Sequence, residues 1–217
     1  MLRVPTLILF ATLSFLTACS PSDDKAYELV INHGRVIDPL SGLDAIRHIG
    51  VREGRIVNIS QAPLTGEQNI DARGLIVAPG FIDYHWHCPA QACYEIGLKD
   101  GLTSAMDLEF GALGSEMKNW YARREGAARI NFGTSASVEL ARALVLDGNK
   151  ADDALNAYIS RGRGQKWAVH EATPEEQSRV LADMEAGLKA GAIGIGITLG
   201  YMPAVSAPEV YDMQKLA

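Results

Sequence analysis

The spacing of hydrophobic residues changes twice along the chain, and each regime predicts a different kind of element. Residues 4–16 form an almost unbroken apolar run behind Met1-Leu2-Arg3. The run is too short to cross a bilayer comfortably. A basic start, an apolar middle and small residues at the end give it the layout of a secretory signal. From residue 27 to 77 the apolar positions come in short stretches rich in strand formers, separated by turn residues. Strands are expected over 27–31 and 35–38, on either side of a turn at Asn32-His33-Gly34, with a second turn over 39–42. The clearest hairpin runs over 46–59 and turns at Glu53-Gly54, and a further strand covers 69–77. No helical period interrupts them, so residues 27–77 read as a small β-sandwich domain.

The pattern changes at Ala78-Pro79-Gly80, after which strand and helix signals alternate. Strands are predicted over 81–83, 102–108, 130–138 and 193–197. Helices are predicted over 92–100, stopped by Gly101, over 115–124 with Ser115 as N-cap, and over 139–146 and 152–160. The best-marked helix opens at Thr173, with Pro174 in the first helical position and Glu176 completing a capping box. Val180, Leu181, Met184 and Leu188 form its apolar face, and Gly191 stops it. Alternating strands and helices imply a parallel sheet or barrel. The fold class is therefore α/β: an incomplete TIM-like (β/α) barrel over 78–217, preceded by the small sandwich. Four strands are legible where a closed barrel needs eight.

Composition adds two points. With 47% hydrophobic and 21% charged residues, the 217-residue chain can bury a core, and its net charge of −6 argues against a nucleic-acid surface. The cysteines matter more. Leu16-Thr17-Ala18-Cys19 resembles the bacterial lipobox, in which cleavage leaves an acylated cysteine first. Residues 1–19 are then a lipoprotein signal peptide and 20–26 a polar tether. The expected location is the cell envelope, with a lipid on Cys19 anchoring the chain to a membrane face. Ser20 rather than aspartate after the cysteine favours the outer over the inner membrane. Cys88 and Cys93 can pair in such a compartment or stay free and buried.

The chemistry concentrates in Pro79-Gly80-Phe81-Ile82-Asp83-Tyr84-His85-Trp86-His87. Residues i and i+2 of a strand point the same way, so His85 and His87 project together from its C-terminal end, where barrel enzymes keep their active sites. Two imidazoles placed so can hold one metal ion. The segment resembles the signature of the amidohydrolase superfamily. The stretches Leu29-Val30-Ile31-Asn32-His33-Gly34-Arg35-Val36-Ile37-Asp38 and Gly50-Val51-Arg52-Glu53-Gly54-Arg55-Ile56 are similar to the opening of that superfamily's sandwich domain. Gly101-Leu102-Thr103-Ser104-Ala105, and Gly191-Ala192-Ile193-Gly194-Ile195 followed by Tyr201 and Pro203, resemble the D-aminoacylase (N-acyl-D-amino-acid deacylase) branch.

The resemblance implies a hydrolase of linear, non-peptide C–N bonds that uses one or two Zn2+ ions and acts on a small N-acyl amino acid or related amide. It implies His85 and His87 as metal ligands. Where that branch carries a cysteine at the end of the second strand, this chain has Met106-Asp107-Leu108-Glu109, so Glu109 is the expected third ligand and Asp107 its alternate. Tyr201 either lines the substrate pocket or is structural. The strand-four segment Ile197-Thr198-Leu199-Gly200 has no lysine, which counts against a cyclic-amide hydrolase of the dihydroorotase or hydantoinase kind. A non-catalytic envelope lipoprotein is the third reading. The family's later histidines and its proton-shuttling aspartate come from strands beyond these, so the chain alone is expected to be inactive and poorly stable. His33, His48 and His170 are not expected to bind metal, and His33 and His48 are expected at the surface. Trp86 is expected to pack outward on a helix and Cys88 to pack in a loop. Gly194, Gly196 and Gly200 suit close strand packing rather than a phosphate loop.

Overall fold

The computed structural model describes residues 26–88, 90–149 and 164–217. The signal, Cys19 and residues 20–25 of the tether lie outside the described residues, as does the helix expected over 152–160. Two compact units adjoin in sequence at Pro79 and Gly80.

The first unit is built on one long strand, β1 (Tyr27–Asp38), in which Val30, Asn32, Gly34 and Val36 are buried alternately. Strand β2 (Leu43–Arg52) pairs antiparallel with β1, and β3 (Arg55–Ser60) pairs antiparallel with β2. The link between β2 and β3 is Glu53-Gly54 at φ 51° and 68°, the left-handed pair of a tight hairpin. Strands β4 (Gly66–Asp71) and β5 (Ile76–Val77) lie parallel to the first and second halves of β1. All five strands belong to one hydrogen-bonded sheet, ordered β3-β2-β1-β4 with β5 on β1.

The turn expected at Asn32-His33-Gly34 is a β-bulge inside β1. The register jumps from Ile31 opposite Ile49 to Gly34 opposite Arg47, and His33 takes φ 66°. Asn32 holds the distortion, its side chain donating to the Leu64 carbonyl at 3.0 Å and accepting from the Leu64 amide at 3.1 Å. The strand expected over 69–77 is correspondingly two strands. Ala72 still donates to the Asn32 carbonyl at 2.8 Å, and the chain then turns, with Leu75 donating back to Ala72 at 2.9 Å.

In the second unit the parallel strands β6 (Phe81–Asp83), β7 (Leu102–Ala112), β8 (Asn131–Ser137) and β9 (Ile195–Gly196) lie side by side in chain order. Helix α1 (Gln91–Lys99) joins β6 to β7, and α2 (Met117–Ala122) joins β7 to β8. Helices α3 (Val138–Asp147), α4 (Lys166–Val169) and α5 (Pro174–Lys189) lie between β8 and β9, and α6 (Ala207–Leu216) follows β9. The core packs Met117, Trp120, Ala136, Trp167, Val180, Met184 and Met213 together. Arg142 of α3 is buried and forms a 2.5 Å pair with Glu209 of α6. Its guanidinium also donates to the carbonyls of Trp167 and His170 at 2.9 and 2.6 Å.

The capping box of α5 is as expected, with Thr173 accepting from Glu176 N at 3.2 Å and Glu176 accepting from Thr173 N at 2.9 Å. Ser115 is not a cap: it sits in the single turn Gly114–Glu116 ahead of α2. The amides of Gly114 and Ser115 donate to the carboxylate of Asp183 on α5, at 2.8 and 2.9 Å. Strand β9 is shorter than expected, although Ile193 N still donates to Thr134 O at 2.9 Å and Gly194 O accepts from Ala136 N at 2.8 Å. Among the described residues, no helix is long and apolar enough to cross a membrane.

Candidate metal centre

Parallel strands present their C-terminal ends together, and two irregularities at that end shape the site. The first is at β6. Past Asp83 the chain stays beside β7: His85 faces Asp107 in an isolated bridge, and Trp86 N donates to Met106 O at 3.0 Å. The Asp83 carboxylate accepts from His85 N at 2.8 Å and holds this turn. Extended backbone then sends His85 and His87 one way and Trp86 the other. Trp86 stacks on Tyr94 of α1, ring centroids 6.3 Å apart, and its Nε1 donates to Cys88 O at 2.8 Å. Cys88 and Cys93 are joined in a disulfide, their Cα atoms 6.0 Å apart, which ties the loop after His87 to α1.

The second irregularity is in β7. Asp107 pairs with Thr134 of β8, but the next pairing is Ala112 with Ala136, so five steps on β7 oppose two on β8. The surplus residues bulge out and carry Glu109. Asp107 braces the bulge, its Oδ1 accepting from the amides of Phe110 and Gly111, both at 3.1 Å. From the side of β9, a Cβ at Gly196 would collide with the main-chain oxygen of Glu109 and with Ser135 Oγ, so only glycine admits that strand here.

These features bring three sequence-predicted residues to one point. Nε2 of His85 lies 3.0 Å from Glu109 Oε2, and Nε2 of His87 lies 2.9 Å from the same oxygen. The imidazoles meet edge to face, centroids 4.6 Å apart. Each of the three offers a ligand atom within 4.8 Å of the other two. Donors around a tetrahedral zinc with bonds of about 2.1 Å stand about 3.4 Å apart, so two nitrogens and one carboxylate oxygen at these separations suit such an ion. Asp107 lies beside the group rather than in it, 12% exposed, with Oδ1 3.5 Å from His87 Nδ1. Burial pushes its carboxyl above the usual carboxylate range, opposed by the Gly111 amide, the charge of His87 and the Phe110 amide.

The other candidates fall elsewhere. Tyr201 ends the single turn Leu199–Tyr201 that follows β9 and is 51% exposed. The His170 carbonyl serves Arg142. His48, expected at the surface, is buried at 4% exposure, because the bulge in β1 turns the His33 amide onto its Nδ1 at 3.2 Å. A buried acid at the strand ends escaped the sequence reading. Glu139, at the start of α3, accepts from Thr198 Oγ1 at 2.7 Å where β8 and β9 end. Its sequence signal is only a first-turn acid behind the Ser137 cap.

Comparison with known proteins bears on the fold first. A D-aminoacylase described as defining a novel subset of amidohydrolases superimposes with a TM-score of 0.68 at 21% identity, over 86% of this chain and 42% of that one. Over the matched residues the chain has the fold of this D-aminoacylase. A second solved structure matches with a TM-score of 0.62 at 21% identity, over 89% of this chain and 43% of that one. It is N-acyl-D-glutamate deacylase from Bordetella bronchiseptica, complexed with zinc and a phosphonate mimic of the tetrahedral intermediate. No protein-family model matches the chain. Among curated proteins, the dihydroorotase of Streptococcus pneumoniae is 31% identical over 170 residues, 76% of this chain and 34% of that enzyme. The N-acyl-D-glutamate deacylase of Alcaligenes xylosoxydans xylosoxydans is 30% identical over 195 residues, 81% of this chain and 38% of that enzyme. The chain thus spans little more than a third of the length of the curated relatives it matches.

Proposed function

We propose that this chain supplies the first part of the metal centre of a zinc-dependent amidohydrolase that cleaves a linear amide, in the manner of an N-acyl-D-amino-acid deacylase. The observation that carries the proposal is the convergence of His85 and His87 Nε2 on one oxygen of Glu109. In this reading the two imidazoles and the carboxylate would hold the zinc. Zinc supplies Lewis-acid polarisation of the amide carbonyl and a water that loses its proton near neutral pH. Glu109 offsets part of the cation's charge. Trp86, stacked on Tyr94, keeps the backbone between the two histidines from turning. Tyr201, on the turn after β9, is assigned to the substrate pocket.

Two observations favour a linear amide. The two solved structures compared above are a D-aminoacylase and an N-acyl-D-glutamate deacylase. The segment after β9, Ile197-Thr198-Leu199-Gly200, has no lysine to bridge two metals, and its Thr198 is engaged with Glu139. The likeness to dihydroorotase favours the second reading, a cyclic-amide hydrolase.

Zinc titration against a chromophoric chelator tests the centre: one tightly bound ion is expected, lost in His87→Ala and in Glu109→Ala. The reaction is tested on the polypeptide isolated from its source cells. Acetate release from N-acetyl-D-glutamate supports the deacylase. Ring opening of hydantoin or dihydroorotate alone transfers the assignment to the cyclic class. Absence of both zinc and turnover leaves the non-catalytic lipoprotein.

The same proposal places the protein in the cell envelope, lipidated at Cys19, on the strength of the apolar run and the Leu16-Thr17-Ala18-Cys19 sequence. Incorporation of labelled palmitate that disappears in Cys19→Ser is the expected result, and unlabelled protein at the unprocessed mass would refute it.

A further inference from the structure

We infer that Asp107 is a positioning residue, which fixes the ring of His87 and the bulge of Glu109 together so that both address the same cation. The inference rests on the metal-centre reading above. His87 has two ring nitrogens, and a neutral imidazole offers a lone pair on only one of them. Its Nε2 faces Glu109 Oε2 at 2.9 Å, while its Nδ1 faces Asp107 Oδ1 at 3.5 Å. With Nε2 given to a cation, the proton of the neutral ring must sit on Nδ1, where the carboxylate of Asp107 stands to meet it. The same carboxylate oxygen accepts from the amides of Phe110 and Gly111, the two residues after Glu109. One side chain therefore backs the metal-binding tautomer of one ligand and braces the backbone path of another. Asp107 aims at the far nitrogen of His87 and is not among the residues whose ligand atoms converge, so it acts through the ligands rather than as one of them.

The substitution that isolates this role is Asp107→Asn, which keeps an oxygen for the two amides and removes the charge beside Nδ1. We expect zinc affinity to fall about 10- to 100-fold, with the melting temperature of the zinc-free chain unchanged. In the zinc-loaded wild-type chain, 15N NMR of the histidine ring is expected to show the proton on Nδ1 of His87. Wild-type zinc affinity in Asp107→Asn, or a wild-type ring protonated on Nε2, overturns the role of Asp107. Wild-type affinity in His87→Ala overturns the metal centre beneath it, so the two failures are told apart. The NMR readout holds even if the variant folds poorly.

Discussion

His48 is enclosed on β2 by the bulge of β1, with the ring of His33 edge-on at a centroid distance of 4.9 Å and Asp71 3.1 Å beyond, on His33 Nδ1. Burial, and then the charge of His33, lower its pKa below the ordinary histidine value. Below a pH of about 6.5 the unfolded chain therefore binds a proton that the folded chain resists, so stability falls as pH drops from 7 through that value. Thermal melts at pH 7.5 and 5.5 should show this loss for the wild type and a smaller one for His48→Gln; equal losses would remove His48 as the cause. At this scale the candidate site was largely legible. His85 and His87 are named by their spacing together with the family resemblance, and Glu109 by the same resemblance, which implies a ligand at the end of the second strand. The placement of Asp107 was not. Two acids alternating on a strand look equivalent in sequence, and only the bulge sends one to the front of His87 and the other to its back.

At the scale of elements, what is local was readable and what is bridged across the chain was not. Thr173, Pro174 and Glu176 satisfy the first amides of α5 from within four residues, so the helix start is written where it occurs. Thr173→Ala should cost about 1 kcal/mol, lowering the melting temperature by about 3 °C. Calorimetry checks it, and a shift below half a degree would show that the cap contributes little. Ahead of α2 the local candidate Ser115 is not a cap; its own amide and that of Gly114 are instead taken by Asp183, 68 residues or more away. The helix after β9 shows a mixed case. Ser206 and Glu209 form a capping box that sequence could have revealed. That Glu209 also turns inward to a buried arginine could not be read from it.

Across the second unit, the Arg142–Glu209 pair ties α3 and α4 to α6 through groups withdrawn from water. Removing one partner strands the other charge, so Glu209→Ala should cost about 3–5 kcal/mol in denaturant unfolding. Joint replacement, Arg142→Met with Glu209→Ala, should cost less than the single change, since no charge is then left unpaired. A double variant as unstable as the sum of the singles would show that packing, not charge, governs this contact. Sequence by itself determined the succession of strand-rich and alternating segments, the paired histidines and the helix start at Thr173. Each follows from spacing within a few residues, where backbone geometry leaves little choice. Tertiary structure decided the bulges in β1 and β7, the burial of His48 and the meeting of His87 with Glu109, 22 positions apart. Those depend on which strand lies beside which and in what register, a choice made by packing and hydrogen-bond satisfaction over the whole unit.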